Sequence, residues 1–390
     1  MHPVYLDYAA TTPMRDEVRA AMLPYLSDDF GNPSSLHRWG RRAAEGLAAA
    51  RAAAASALGA KPSEVFFTRG GTESDNLAIL GRCRALHAAS GTTPTLIVSA
   101  IEHHAVQDAA VSAERGGEVR RVVLGVSEAG QVDLDALDAA LEAGAAGAAV
   151  VSVMWVNNET GIMLPVAEIA RRVEAAGGTL HTDAVQAIGK VPVSVVDAPV
   201  HLLSATGHKI YGPKGTGLLF ARTGTTVAPL LFGGGQERAL RPGTEDVAGA
   251  VGLAAAMRLV VDEQAVESER LRALRDRLEA RVLAGLDGVR INGGSAVRAP
   301  HISSLGVEDV DGQALLMALD LEGLAASGGS ACASGSTAGS HVISALYGAD
   351  DPRATVRFSL GRTSDQIDVD RAADVLTRIV SRLRGLDGAA

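Results

Sequence analysis

Four short stretches hold residues whose types and spacing could do chemistry. In TRGGTESDN, Gly70 and Gly71 precede Thr72 where a strand pattern gives way to a helix pattern. Free N–H groups and the dipole at a helix start favour an anion, and glycines let it approach the backbone closely. The Thr72 hydroxyl can donate once more. An ordinary glycine turn with Thr72 as N-cap has the same pattern. In HTDAVQA, Asp183 falls at or just past the carboxyl end of a strand, where open α/β sheets bind ligands. A carboxylate there could pair with a pyridinium nitrogen and keep it protonated, which makes a pyridoxal phosphate (PLP) ring an electron sink. Gln186 could reach the same ligand; capping the next helix is the plainer role for Asp183.

In SATGHKIYGPKG, Lys209 lies between His208 and an apolar stretch. A Schiff-base lysine needs partial desolvation and phosphate donors nearby, and Ser204, Thr206 and His208 could be those donors. A surface lysine in a glycine loop is the alternative, and Lys214 reads as one; Lys61 and Lys190, the remaining lysines, read as solvated loop residues. In SGGSACASGSTAGSHV, Gly, Ser and Ala surround Cys332. That composition reads as a mobile loop, in which a thiol is exposed and reactive more readily than in a core. An incidental loop cysteine would look the same. Cys83, in LAILGRCRAL, reads as a small core or helix-face residue.

Three lesser candidates follow. EHHAV places His103 and His104 at a strand end, where a ring could stack on a flat cofactor or move protons near neutral pH. VNNETG places Asn157 and Asn158 after a buried strand. VRFSLGR places Arg357 on a strand, from which it could clamp a carboxylate bidentately. A loop histidine, an Asn turn and a surface salt bridge are the corresponding plain readings.

The elements that must position these residues alternate. Strand patterns at 64–68, 95–99, 119–124, 148–154 and 179–182 are separated by helix patterns at 74–86, from about 104, at 132–141 and at 166–176. This is the βαβ alternation of a mostly parallel sheet covered on both faces. Two further apolar runs, 200–204 and 217–221, flank GHKIYGPKG. The alanine-rich 43–57 tract is a good helix former. Beyond Gly243 the pattern changes to a long helix over 248–286, strands near 289–292, 301–307 and 355–359, and helices over 313–321 and 366–383, which is a compact α+β unit.

The bulk numbers bound the function. At 390 residues and 47% hydrophobic, the chain can bury two cores; a net charge of −9 without long runs of one sign argues against a broad nucleic-acid face. MHPVYLDYAATTP has no basic n-region before an apolar stretch, so no secretory signal is expected. No apolar run approaches a membrane span. Two cysteines point to a reducing cytoplasm.

LDYAATTP, GNPSSLHRWGR, GGTESDN, EHHAV, VNNETG, HTDAVQA, GHKIYGPKG, GGGQERALRPGTEDV, SGGSAC and VRFSLGR occur in this order from Tyr5 to Arg362. Together they resemble the NifS/IscS-type cysteine desulfurases, in the class V aminotransferase group of fold-type I PLP enzymes. The resemblance implies a large PLP-binding domain (residues 13–257) with a mostly parallel, seven-stranded sheet between helices. A smaller α+β domain (1–12 and 258–390) would carry the Cys332 loop. By position it makes Lys209 the Schiff-base lysine and Asp183 the partner of the ring nitrogen. Gln186 would bond the phenolic oxygen and His103 would stack on the ring and help protonate the product. Gly71, Thr72, Thr206 and His208 would hold the phosphate, with Thr206 where the family usually has Ser. Thr244 resembles a threonine that reaches the neighbouring subunit's phosphate, which implies a homodimer. Asn158 and Arg357 match residues that hold the substrate carboxylate, and Cys332 matches the sulfur acceptor.

The implied reaction removes sulfur from L-cysteine, leaving alanine and a persulfide on Cys332. A sulfur-acceptor protein would then take that sulfur, either an iron–sulfur scaffold or a tRNA-thiolation sulfurtransferase. SGGSACASGS resembles the branch with a long mobile cysteine loop. The chain closes at RLRGLDGAA, without the C-terminal extension by which housekeeping members dock their scaffold. Alternatives are a selenocysteine lyase, a class V aminotransferase with no need of Cys332, and a sulfur-relay subunit without catalysis. No metal ligands and no direct nucleic-acid contact are expected.

Overall fold

A computed structural model describes residues 3–144, 147–328 and 339–387. The chain opens with a short strand, β1 (Val4–Tyr5), and two helices, α1 (Asp16–Leu26) and α2 (Arg38–Leu58). Then strands and helices alternate: β2 (Val65–Thr68), α3 (Gly71–Ser90), β3 (Thr95–Ser99), α4 (His104–Arg115), β4 (Arg120–Leu124), α5 (Leu134–Glu142), β5 (Ala149–Ser152), α6 (Val166–Ala175), β6 (Thr179–Asp183), β7 (Leu202–Thr206) and β8 (Gly217–Ala221). The remainder is α7 (Val247–Gly285), β9 (Val289–Ile291), β10 (Ile302–Val307), α8 (Gly312–Leu321), β11 (Leu324–Ala325), α9 (His341–Tyr347), β12 (Ala354–Ser359) and α10 (Gln366–Asp387).

Among the described residues, seven strands form one sheet in the order β2-β8-β7-β6-β5-β3-β4. Only β8 runs antiparallel to its neighbours β2 and β7; the pairs from β7 through β4 are parallel. Strands β3, β5, β6, β7 and β8 are buried along their whole length, as strands covered by helices on both faces must be. At the edge, β4 exposes Arg120 and half-exposes Arg121, charges that discourage pairing with another chain. A three-stranded antiparallel sheet, β12-β10-β9, and the parallel pair β1-β11 complete the strands.

Helix α7 runs through two cores. Its first half (Val247, Leu253, Met257, Val260) packs with the large sheet. Its second half (Leu271, Leu278, Val282) packs with β1, β10, β12 and α10. The N-terminal segment ties the same regions together, because Ser359 N–H donates to Leu6 O (2.7 Å) and Thr12 N–H donates to His208 O (2.8 Å). Four elements lie outside the sequence expectation: β1, α1, β11 and α9. Two are strands of two residues, α9 is a seven-residue helix behind a Gly/Ser run, and α1 carries Pro24 and buries only Val18. The strands are too short to show an alternation, α1 buries too little to mark an apolar face, and α9 is too short for its apolar spacing to stand out from the loop before it.

Candidate active site

The carboxyl ends of the parallel strands and the start of α3 enclose a cavity of about 260 Å³. Its walls include Gly71, Thr72, His103, Asn158, Asp183, Gln186, Thr206, His208, Lys209 and Arg357. Most of them meet here because the parallel strands end at the same edge of the large sheet, and Arg357 reaches in from β12 of the second sheet.

The anion end is built from backbone. Gly70 is the N-cap of α3, with φ 150°, so Thr72 lies inside the helix and does not cap it. Gly217, at the start of β8, admits this turn, since a Cβ there would stand 2.6 Å from the Gly70 carbonyl carbon. Thr206 lines the same end, its hydroxyl donating to Thr216 O (3.1 Å). His208 Nδ1 lies 3.2 Å from the Thr11 hydroxyl. Burial first, then Lys209 and Lys214, lower the His208 pKa to about 4, so its ring is neutral at pH 7.

Lys209 is stitched in place by the N-terminal segment. Its Nζ donates to the carbonyls of Ala9 (2.6 Å) and Ala10 (2.7 Å). The hydroxyl of Thr12 donates to His208 O (2.9 Å) and accepts from Tyr211 N–H (2.7 Å). Tyr211 needs that support: its φ of 64° is a left-handed conformation that costs a non-glycine residue about 1–3 kcal/mol. Lysine at this position therefore sits on a braced, strained turn, with its amine aimed by carbonyls far away in sequence.

Asp183 ends β6 and is buried, with Oδ1 accepting from Val185 N–H (2.8 Å). No helix starts there, so the helix-cap reading fails. Burial raises its pKa, while His103, the Val185 N–H and Lys209 pull it back down. Gln186 is buried too; its amide donates to Ala9 O (2.9 Å), and its Oε1 lies 3.3 Å from His301 Nε2. His103 is the N-cap of α4, and its Nδ1 accepts from Ala105 N–H (3.1 Å). That bond leaves the proton on Nε2, and burial lowers the ring's pKa, so the imidazole is neutral at pH 7.

The carboxylate-clamp candidates also converge. Arg357 is 1% exposed, which rules out a surface salt bridge. Its guanidinium donates to Asn158 O (2.7 Å) and to Asp7 (2.8 Å). Asn157 knots the turn below, accepting from the N–H groups of Glu159 and Thr160 and from the Thr160 hydroxyl. Asn158 is left lining the cavity.

Two expectations, for Lys190 and Ser204, differ from what is observed. Lys190 is no solvated loop residue: it is 5% exposed, and its ammonium lies over the Tyr211 ring at 5.1 Å. Burial lowers its pKa to about 8. Ser204 does not line the cavity; it is buried in β7 with its hydroxyl 2.9 Å from His181 Nε2. Thr244 is exposed and also lies outside this cavity. Cys332 falls outside the described residues. Cys83 is buried, and burial pushes its thiol up to about 12.

Sequence reasoning passed over Ala9, Ala10, Asp75, Glu159 and His341, all of which line the cavity. Glu159 lies inside VNNETG and His341 at the end of SGGSACASGSTAGSHV, but the asparagines of the one and the cysteine of the other drew the attention. Asp75 does lie inside GGTESDN, four residues after Gly71 and so one helical turn from the anion cradle.

A flat, phosphorylated aldehyde fits this set. The helix start offers N–H groups to a phosphate, Lys209 offers an amine, and Asp183 offers a buried acid to a ring nitrogen. A Cβ at Gly71 would come within 3.0 Å of Val185 Cγ2, so glycine keeps the cradle open.

Comparison with known proteins bears on this arrangement. The aminotransferase class-V family model matches residues 4–372. The chain is 42% identical over 392 residues to the cysteine desulfurase NifS of Azotobacter vinelandii, covering 99% of this chain and 94% of that one. Among solved structures, a NifS-like protein superposes with a TM-score of 0.89 at 31% identity, covering 98% of this chain and all of the other. SspA in complex with cysteine superposes with a TM-score of 0.77 at 31% identity, over 91% of this chain and 98% of that one.

Proposed function

The chain belongs to the aminotransferase class-V family, and from that premise we propose that it is a PLP-dependent cysteine desulfurase. One observation carries the reading: the Lys209 amine, the buried Asp183, the α3 helix start and Arg357 line a single small cavity. Bound PLP would supply the electron sink that weakens the Cα–H bond and then the C–S bond of the substrate.

The protein's own groups do the rest. Gly71, Thr72, Thr206 and His208 would hold the phosphate, for which Thr206 would have to turn its hydroxyl from the Thr216 carbonyl. His103 would stack on the ring, Gln186 would bond the phenolic oxygen, and Asp183 would pair with the ring nitrogen. Arg357 and Asn158 orient the carboxylate of L-cysteine. The Lys209 amine would take the Cα proton and carry it to the product. The Cys332 thiolate attacks the substrate sulfur, so that Cys332–SH and L-cysteine become Cys332–S–SH and L-alanine. Sulfur is oxidised and the substrate carbon reduced, and no outside reductant enters. A neutral His103, with its proton on Nε2, can deliver a proton to the departing product.

The change of core along α7 supports dividing the chain near residue 258 into a large PLP-binding domain and a small one that includes residues 1–12. The exposed position of Thr244 is consistent with service to a second copy's phosphate in a homodimer. The persulfide would pass to an acceptor protein for iron–sulfur assembly or tRNA thiolation. No helix among the described residues is long and apolar enough to cross a membrane. A reactive thiol suits the reducing cytoplasm.

An absorption spectrum of the purified protein, taken before and after L-cysteine with alanine assayed in the same cuvette, tests the reading. The yellow absorption of lysine-bound PLP should change on addition as alanine appears. A protein that stays colourless and inert after PLP is supplied contradicts it.

A further inference from the structure

Asp183 is not the only acid at the floor of this cavity. Asp75, one turn into α3, also lines it. Asp75 is 1% exposed, and its Oδ1 has no hydrogen-bond partner. The nearest ring nitrogen, His181 Nε2, stands 3.6 Å away, too far for a hydrogen bond. His181 is committed elsewhere, to the hydroxyls of Ser152 (2.8 Å) and Ser204 (2.9 Å). Burial holds the His181 pKa near 3, so it brings no positive charge. The groups facing Asp75 are thus Asp183 and His181 on β6, Ser204 on β7, and the buried Glu102 beyond β3.

The two aspartates are not equivalent. Asp183 accepts from a backbone N–H and feels His103 and Lys209. Asp75 feels two other carboxyl groups and no cation, and burial and the Asp183 charge both push its pKa up. Two buried carboxyl groups sharing one site do not both ionise readily, and the charge settles on the better-stabilised one.

We propose that Asp75 is a positioning residue: it remains a neutral carboxylic acid behind the cofactor site and so leaves Asp183 as the single anion facing the ring nitrogen. The inference rests on the PLP reading only for its consequence at the ring. Asp75's own proton can be observed in the cofactor-free protein.

The test compares wild type with Asp75→Asn, which keeps the shape and neutrality of the acid. In the cofactor-free protein, the native state holds a proton that the unfolded chain releases near pH 4. Wild-type stability should therefore fall relative to Asp75→Asn as pH rises from 5 towards 8, by up to about tenfold in the folding constant per pH unit. An Asp75 that is ionised and merely structural would give a difference independent of pH, and that result would overturn the proposal. In the PLP-loaded protein, wild type should show an alkaline change in cofactor absorbance that Asp75→Asn lacks. Loss of that change in Glu102→Gln instead would assign it to Glu102 and overturn the proposal. If Asp75→Asn does not fold, Ser204→Ala serves, because it removes a hydroxyl that favours the ionised acid. The alkaline change should then move to higher pH, and an unmoved change overturns the idea. A protein that takes up no PLP defeats the desulfurase reading while leaving the cofactor-free result to stand or fall by itself.

Discussion

Replacing the Thr12 hydroxyl with a methyl group should loosen Lys209 from a distance. Thr12 is 5% exposed, and among the described residues its hydroxyl is the one acceptor of Tyr211 N–H, at 2.7 Å. In Thr12→Val the His208 carbonyl keeps a donor, the Thr12 backbone N–H at 2.8 Å. Tyr211 N–H keeps none. A buried donor left without a partner costs about 1–3 kcal/mol. Relaxation of the left-handed Tyr211 would return part of its strain, so a net loss of about 2 kcal/mol is expected. That relaxation would also draw Lys209, two residues earlier, away from the Ala9 and Ala10 carbonyls. Urea unfolding of the cofactor-free protein should show a lower midpoint for Thr12→Val with an unchanged slope. Thr12→Ser should recover to within about 0.5 kcal/mol, since it restores the hydroxyl. PLP should also bond to the lysine of Thr12→Val more slowly. A Thr12→Val protein as stable as wild type, or a Thr12→Ser protein as weak as Thr12→Val, would refute the argument.

Other perturbations test other parts of the account. Glu237 is buried and takes Arg51 bidentately (2.7 Å for each contact) as well as Phe67 N–H (3.1 Å), so Glu237→Gln should cost about 3 kcal/mol in denaturant unfolding by stranding Arg51. Lys190 titrates near 8 when folded and about 10.4 when unfolded, so the unfolded chain holds the extra proton between those values. Wild-type stability should rise from pH 8 to 10 by up to about 3 kcal/mol, a rise that Lys190→Met should lack. Arg357→Lys keeps the charge but loses the planar fork, and should raise the KM for L-cysteine more than it lowers kcat if the arginine binds ground and transition states alike.

Much of the large sheet is legible in the sequence because its strands are unbroken apolar runs between punctuated helices. The 95–99 and 217–221 runs coincide with β3 and β8 to the residue. Edges are less legible: the 148–154 run stays buried beyond β5, which ends at Ser152, with Val153 N–H still donating to His181 O (3.1 Å) and Met154 lining the cavity. The site residues at strand ends, Asp183 and His103, could be found because strand ends are where ligands gather. Lys190 was misjudged because Gly189 and Pro192 look like an exposed turn, whereas α7 covers it, with Ser268 donating to its carbonyl (2.5 Å). The bracing of Lys209 by residues 9–12 has no local signature at all, since it joins positions about 200 apart. Asp75 was hidden in plain view: a polar residue near a helix start reads as solvated, and only the packing of β6 and β7 against α3 reveals that it is buried.

In the proposed reaction sulfur goes to one particular cysteine, Cys332. Mass analysis of the peptides after a stoichiometric addition of L-cysteine tests it most directly. One added sulfur atom on the peptide holding Cys332, matched by one alanine and absent from a Lys209→Ala protein, is the predicted result. Cys83, buried and with its thiol held near 12, should stay unmodified. Alanine formed at the wild-type rate by Cys332→Ser without added thiol, or sulfur found on Cys83 instead, would contradict the account.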